Sequence, residues 1–114
     1  MFRHTLKGST AERIRQAFAS RGIEEDRIEL RHKAGNGGFL GVYADVDVLL
    51  DALPWCGHAT TCEALWMGVP VLTLRDPRHA GRMSASILTC LGLTDLIAET
   101  PEEYRQRAVE LATV

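Results

Sequence analysis

Asp51-Ala52-Leu53-Pro54-Trp55-Cys56-Gly57-His58-Ala59-Thr60-Thr61-Cys62-Glu63-Ala64-Leu65-Trp66-Met67-Gly68-Val69-Pro70 is the stretch that decides the fold. Before it, Val46 to Leu50 reads as a short apolar strand ended by Asp51. Within it, Thr60 to Met67 fits a helix closed by Gly68. After it, Val69 to Leu74 is β-branched and apolar, as a buried strand requires. A strand-turn-helix order puts the turn at the carboxyl end of a sheet, where open α/β sheets bind ligands. Gly57 lets the backbone approach a ligand closely. Thr60 and Thr61 add hydroxyls beside the free N–H groups of the helix start, and together these suit a diphosphate. Glu63 lies one turn further, where a carboxylate accepts two hydrogen bonds from a ribose diol. A plainer account fits the same spacing: Thr60 caps the helix and Glu63 favours its dipole. Spacing alone leaves both open.

Outward from this stretch the period keeps switching. Ser9-Thr10-Ala11-Glu12 is a capping-box pattern ahead of Ile14, Ala17 and Phe18 at helical spacing, with Gly22 as the stop. Arg27 to Arg31 alternates as a strand does, and Phe39, Leu40 and Tyr43 fit a short helix. Ala80 to Leu91 carries Met83, Ile87, Leu88 and Leu91 on one face and ends at Gly92. Thr100-Pro101-Glu102-Glu103 opens a last helix with Tyr104, Ala108 and Leu111 toward the core. Strands alternating with helices predict an α/β fold, a mostly parallel sheet with helices on both faces. A chain of 114 residues predicts one domain, 1–114.

Composition narrows the function classes. An apolar share of 46% with 25% charged residues belongs to a folded chain, not a disordered one. A net charge of −2 gives no long-range attraction to nucleic acid, and no polybasic run suggests a membrane surface. No apolar run approaches the roughly 20 residues that span a bilayer, and Met1-Phe2-Arg3-His4 does not open a signal peptide. Cys56, Cys62 and Cys90 are odd in number and lack a CxxC pair, which predicts reduced thiols in a cytoplasmic protein and no metal site. A phosphotransfer receiver would use Asp51, Asp45, Asp47 and Thr73, but it needs a lysine after Thr73, and the lysines are Lys7 and Lys33. The acidic residues then read as solvated ends of elements. Cysteine nucleophile chemistry would need Cys56 and His58, two apart, to meet.

Gly57-His58-Ala59-Thr60-Thr61-Cys62-Glu63-Ala64-Leu65-Trp66-Met67-Gly68-Val69-Pro70, with Arg78-His79-Ala80-Gly81-Arg82-Met83-Ser84 and the residues to Leu93, resembles the C-terminal catalytic lobe of the O-GlcNAc transferase family, SPINDLY-type proteins included. The likeness runs from about Arg13 to Leu111. It implies a partial Rossmann-like domain of the two-lobed type called GT-B. It implies that His58 and Thr60 contact the diphosphate of a UDP-sugar, or a GDP-sugar, with the N–H groups of residues 59 to 61, and that Glu63 holds the ribose. Arg82 and the His-Ala-Gly before it match the family pattern best within a basic cluster of Arg75, Arg78, His79 and Arg82. The implied activity is inverting transfer of a sugar to Ser or Thr of a protein acceptor, with no obligatory metal or other cofactor. The catalytic base is not assignable, and the acceptor surface belongs to an N-terminal catalytic lobe, often joined to tetratricopeptide repeats.

Two departures qualify the likeness. Ala59 stands where a threonine is usual, and Gly35-Asn36-Gly37-Gly38-Phe39 is uncharged where relatives carry basic residues near the uracil. The competing class is a noncatalytic α/β module that binds phosphate, nucleotide or protein.

Overall fold

Leu49–Leu50 (β1), Val71–Leu74 (β2) and Ile97–Ala98 (β3) form a parallel sheet in the order β1-β2-β3. The computed structural model describes residues 8–31 and 40–113. The chain divides into two compact units after Gly41.

In the second unit the register pairs Leu49 with Val71 and Thr73 with Ile97. Between the strands lie Ala59–Trp66 (α2) and Met83–Cys90 (α3), and after them Pro101–Ala112 (α4). Ser9–Ala19 (α1) belongs to the first unit. Two crossovers that step the same way across a sheet carry their helices on one face when both are right-handed. Accordingly α2 and α3 pack on each other and on β2, while α4 packs on β2 and β3. Leu72 and Val71 are wholly buried, as a central strand covered on both faces requires. One apolar cluster joins Tyr43, Ala64, Val69 and Val71; a second joins Ala85, Leu88 and Ile97.

Local signals explain the ends. Gly68 and Gly92 close α2 and α3 with φ of 81° and 73°, left-handed values that a glycine takes without strain. Thr100 caps α4: its hydroxyl accepts the Glu103 N–H, while the Glu103 carboxylate accepts the Glu99 N–H at 2.7 Å. Half-buried Tyr104, Ala108 and Leu111 turn toward the sheet as expected.

Several expectations shift. The strand expected over Val46 to Leu50 is only β1, and residues 40–45 form a 3-10 helix. Phe39, which was to share that helix, lies outside the described residues. Of the face expected on α3, Leu88 is wholly buried, Met83 and Ile87 are half-buried and Leu91 is 58% exposed; Ser84 and Ala85 complete the buried face. Small residues face inward there because α3 approaches α2 closely and Ser84 has a partner across the gap.

In the first unit, Ser9–Ala19 forms α1, preceded by Gly8 with φ 59° and with no side-chain cap bond. The expected Ser9 capping box therefore does not form, because Ser9 is already helical. Ala11 is buried and Ile14 half-buried, whereas Ala17 and Phe18 are exposed. The strand expected over Arg27 to Arg31 is a 3-10 turn, Glu25–Arg27, followed by extended chain with a single bridge at Arg31. Ile28 and Leu30 keep the alternate burial that suggested a strand, but alternation without a paired ladder does not make one.

Candidate functional site

The turn from β1 to α2 is built around a buried carboxylate. Asp51 is 8% exposed. Its Oδ2 accepts the Thr73 hydroxyl at 2.7 Å, and its Oδ1 accepts the N–H groups of Gly57 at 2.8 Å and Ala52 at 3.0 Å. Its carbonyl accepts the Tyr104 hydroxyl at 3.2 Å. This corrects the reading of Asp51 as a solvated strand end: burial is tolerated because both carboxylate oxygens are hydrogen-bonded. Asp45 and Asp47 are exposed, so the three do not form the acidic cluster a receiver would need.

From Gly57 the chain enters α2. His58 is the N-cap residue and is exposed, with its carbonyl accepting the Cys62 N–H at 3.2 Å. Ala59 and Thr60 are also exposed, and the first N–H groups of a helix lack intrahelical partners. Thr61 behaves differently. It is wholly buried, and its hydroxyl lies 2.8 Å from that of Ser84. Its N–H stays at the helix start, but its hydroxyl faces the interior. Ser84 donates to the Gly57 carbonyl at 2.9 Å, so its one proton is used there and Thr61 is the donor between the two hydroxyls.

Glu63 is half-buried three residues after Thr60, a helical neighbour. The Tyr43 hydroxyl lies 3.3 Å from the Thr60 carbonyl and faces the Glu63 carboxylate. Burial raises the Tyr43 pKa, and the negative charge and hydrogen bond of Glu63 raise it further. Tyr43 thus brings Thr60 and Glu63 to one edge of α2, while Thr61 and Ala64 form its buried face. Sequence reading treated Tyr43 as an apolar residue and missed this contact.

Gly57 is crowded on its inner side. A side chain there would place its Cβ 2.8 Å from the Thr61 hydroxyl oxygen and 3.4 Å from Asp51 Oδ1. Glycine is therefore needed for packing against α2, apart from any ligand. Cys56 is 2% exposed, and its thiol donates to the Ala80 carbonyl at 3.0 Å. With the thiol buried and His58 exposed, the pair lacks the contact a nucleophile and its base require. Among the described residues, no group of three or more His, Cys, Asp or Glu side chains is placed to hold a metal ion.

The basic cluster is divided. Arg78 forks onto Asp76 with two 2.8 Å bonds, which hold the Asp76 carboxyl down to about 2. Arg75 pairs with Glu99 at 2.9 Å. Arg82 is exposed at the start of α3 and has no carboxylate partner among the described residues. Gly81, just before it, sits where a Cβ would lie 2.4 Å from that of Asp76 and 2.9 Å from the Pro54 carbonyl, so this turn approaches the 51–57 loop too closely for a side chain. The glycine-rich segment 35–39, expected near a nucleobase, lies outside the described residues. No helix among the described residues is long and apolar enough to cross a membrane.

Comparison with known proteins agrees with this architecture. Residues 1–114 match the family model described as glycosyl transferase family 41. A probable UDP-N-acetylglucosamine–peptide N-acetylglucosaminyltransferase SPINDLY of Eustoma exaltatum is 37% identical over 107 residues, covering 90% of this chain and 12% of that protein. The Caenorhabditis elegans UDP-N-acetylglucosamine–peptide N-acetylglucosaminyltransferase is 36% identical over 103 residues, covering 90% of this chain and 9% of that protein. A solved Thermobaculum terrenum O-GlcNAc transferase mutant superposes with a TM-score of 0.86 at 40% identity, over 95% of this chain and 21% of that one. The chain thus spans about a tenth of these curated relatives' length.

Proposed function

This chain belongs to glycosyl transferase family 41, and from that we propose that it supplies the nucleotide-sugar-binding part of an inverting protein O-glycosyltransferase, with a UDP-GlcNAc-like donor. The observation that carries the reading is the exposed start of α2 at the carboxyl end of β1, with Glu63 one turn on and Tyr43 beside it. His58, Thr60 and the N–H groups of residues 59 to 61 bind the diphosphate, and Glu63 holds the ribose diol. Gly57 shapes the turn, and Arg82 adds positive charge near the leaving group. In the transfer step, the acceptor oxygen attacks the anomeric carbon as the bond to the diphosphate breaks. Donors fixed at the helix start stabilise the charge that develops on the departing oxygen. No metal is obligatory in this scheme.

The acceptor surface and much of the catalytic equipment are assigned to another lobe of a longer protein, with tetratricopeptide repeats as a further partner. The lengths of the relatives support a further lobe, since the chain covers 12% and 9% of two of them. Free thiols at Cys56, Cys62 and Cys90 support a cytoplasmic setting.

Sugar transfer to a peptide acceptor tests the reading. His58→Ala in the longer protein is expected to cut turnover by about 10²–10³ with the fold retained, the usual cost of one donor to a developing oxyanion. The 114-residue chain alone is expected to transfer nothing, since positioning of the acceptor supplies much of the barrier reduction. Full turnover by the His58→Ala protein would remove His58 from the mechanism, and transfer by the chain alone would overturn the division between lobes.

A further inference from the structure

Gly57 is held from both sides by side chains that come from other elements. Its N–H belongs to the Cys56–Gly57 peptide and donates to Asp51 Oδ1 at 2.8 Å. Its carbonyl belongs to the Gly57–His58 peptide and accepts the Ser84 hydroxyl at 2.9 Å. Each peptide is planar, so fixing one polar atom fixes the orientation of its whole plane. Both anchors are themselves immobilised. The second oxygen of Asp51 is tied to Thr73 in the central strand, and Ser84, wholly buried, is tied to Thr61 in α2. Gly57 has no side chain to restrict its own torsions, so without these bonds it would be the loosest joint in the turn.

We infer that Asp51 and Ser84 are positioning residues: together they fix the two peptide planes around Gly57 and so aim the helix start at His58, Ala59 and Thr60. The trans geometry of the Gly57–His58 peptide turns the His58 N–H away from buried Ser84 as the carbonyl turns toward it. The alternative, that Asp51 and Ser84 only stabilise the fold, makes a different prediction. A purely structural pair would lower overall stability without a selective effect on the Gly57 turn or on ligand affinity. This inference rests on the nucleotide reading of the site for its functional half, and on the hydrogen bonds alone for its structural half.

The test uses the whole 114-residue chain and two readouts, amide hydrogen exchange at Gly57 and UDP affinity by NMR titration. Asp51→Ala is expected to speed Gly57 exchange at least tenfold relative to the amides of β2, and to weaken UDP by about tenfold, the scale of a hydrogen bond to a charged group. Asp51→Asn keeps an acceptor for Gly57 and a partner for Thr73, and is expected to restore both within about threefold. Ile97→Val, a core change far from the turn in sequence, is expected to lower stability and leave both readouts unchanged.

Should Asp51→Ala fail to fold, Ser84→Ala removes a single oxygen and is expected to shift the His58 amide and weaken UDP by roughly threefold. The inference is overturned if Asp51→Ala leaves Gly57 exchange and UDP affinity within twofold of the unaltered chain, or if Ile97→Val disturbs them equally. If Asp51→Ala does not fold, an unmoved His58 amide in Ser84→Ala overturns it. Absence of UDP binding by the unaltered chain sinks the nucleotide reading, and Gly57 exchange then decides whether the clamp exists.

Discussion

The Tyr43 hydroxyl faces two acceptors, the Thr60 carbonyl and the Glu63 carboxylate, and burial with the charge of Glu63 keeps it protonated above the ordinary tyrosine range. A protonated phenol beside a carboxylate orients it, as a hydrogen bond to a charged group does. Tyr43→Phe keeps the ring that packs on Ala64 and Val71 and removes only the donor. Its expected effects are a loss of about 1 kcal/mol in stability by urea titration and a roughly threefold to tenfold weakening of UDP. An unchanged affinity would mean that Tyr43 does not orient Glu63. Residue by residue, the placement of His58, Thr60 and Glu63 at the start of α2 was legible from the strand-turn-helix pattern, while their roles toward a ligand come from the resemblance and stand as a proposal. The site was not legible where the role comes from a distant partner. Thr61 and Ser84 are 23 positions apart, as are the ends of no short motif, and Asp51 and Thr73 are 22 apart. Nothing in local spacing separates a threonine facing a ligand from one facing a serine on the next helix.

Among elements, the sequence was clearest where stop and start signals are stereochemical. The glycines after α2 and α3 take left-handed torsions, and Thr100 with Pro101 opens α4 as the pattern predicts. Strands were harder. β3 has only two residues and shows no alternation to mark it, while the alternating stretch 27–31 shows a single bridge, at Arg31, among the described residues. A strand is defined by its neighbour, which local sequence does not contain. On α3 apolarity identifies Leu88 but not Ser84 and Ala85, because close packing selects small residues there. The α4 cap gives a quantitative check. Thr100→Ala removes the acceptor for the Glu103 N–H, a 3.1 Å bond. It is expected to lower stability by about 1 kcal/mol in urea titration. A loss below about 0.3 kcal/mol would show that Pro101 and the Glu103–Glu99 bond suffice to start the helix.

At the scale of the whole molecule, the α/β class, the parallel sheet and the helices on both faces were legible because strand and helix periods alternate through the second unit. The family was legible because one dense stretch carries it, from Asp51 to Leu93. Sugar identity and acceptor were not legible in a chain that covers 12% of a relative's length. If the turn into α2 binds a nucleoside diphosphate as proposed, titrating this chain with UDP while following amide shifts will show it. A partial site offers few contacts, so a Kd of about 1 mM or weaker is expected, roughly −4 kcal/mol. Shifts concentrated at residues 57 to 63 that saturate with UDP are the predicted result; shifts scattered over the surface with none at those residues would contradict it.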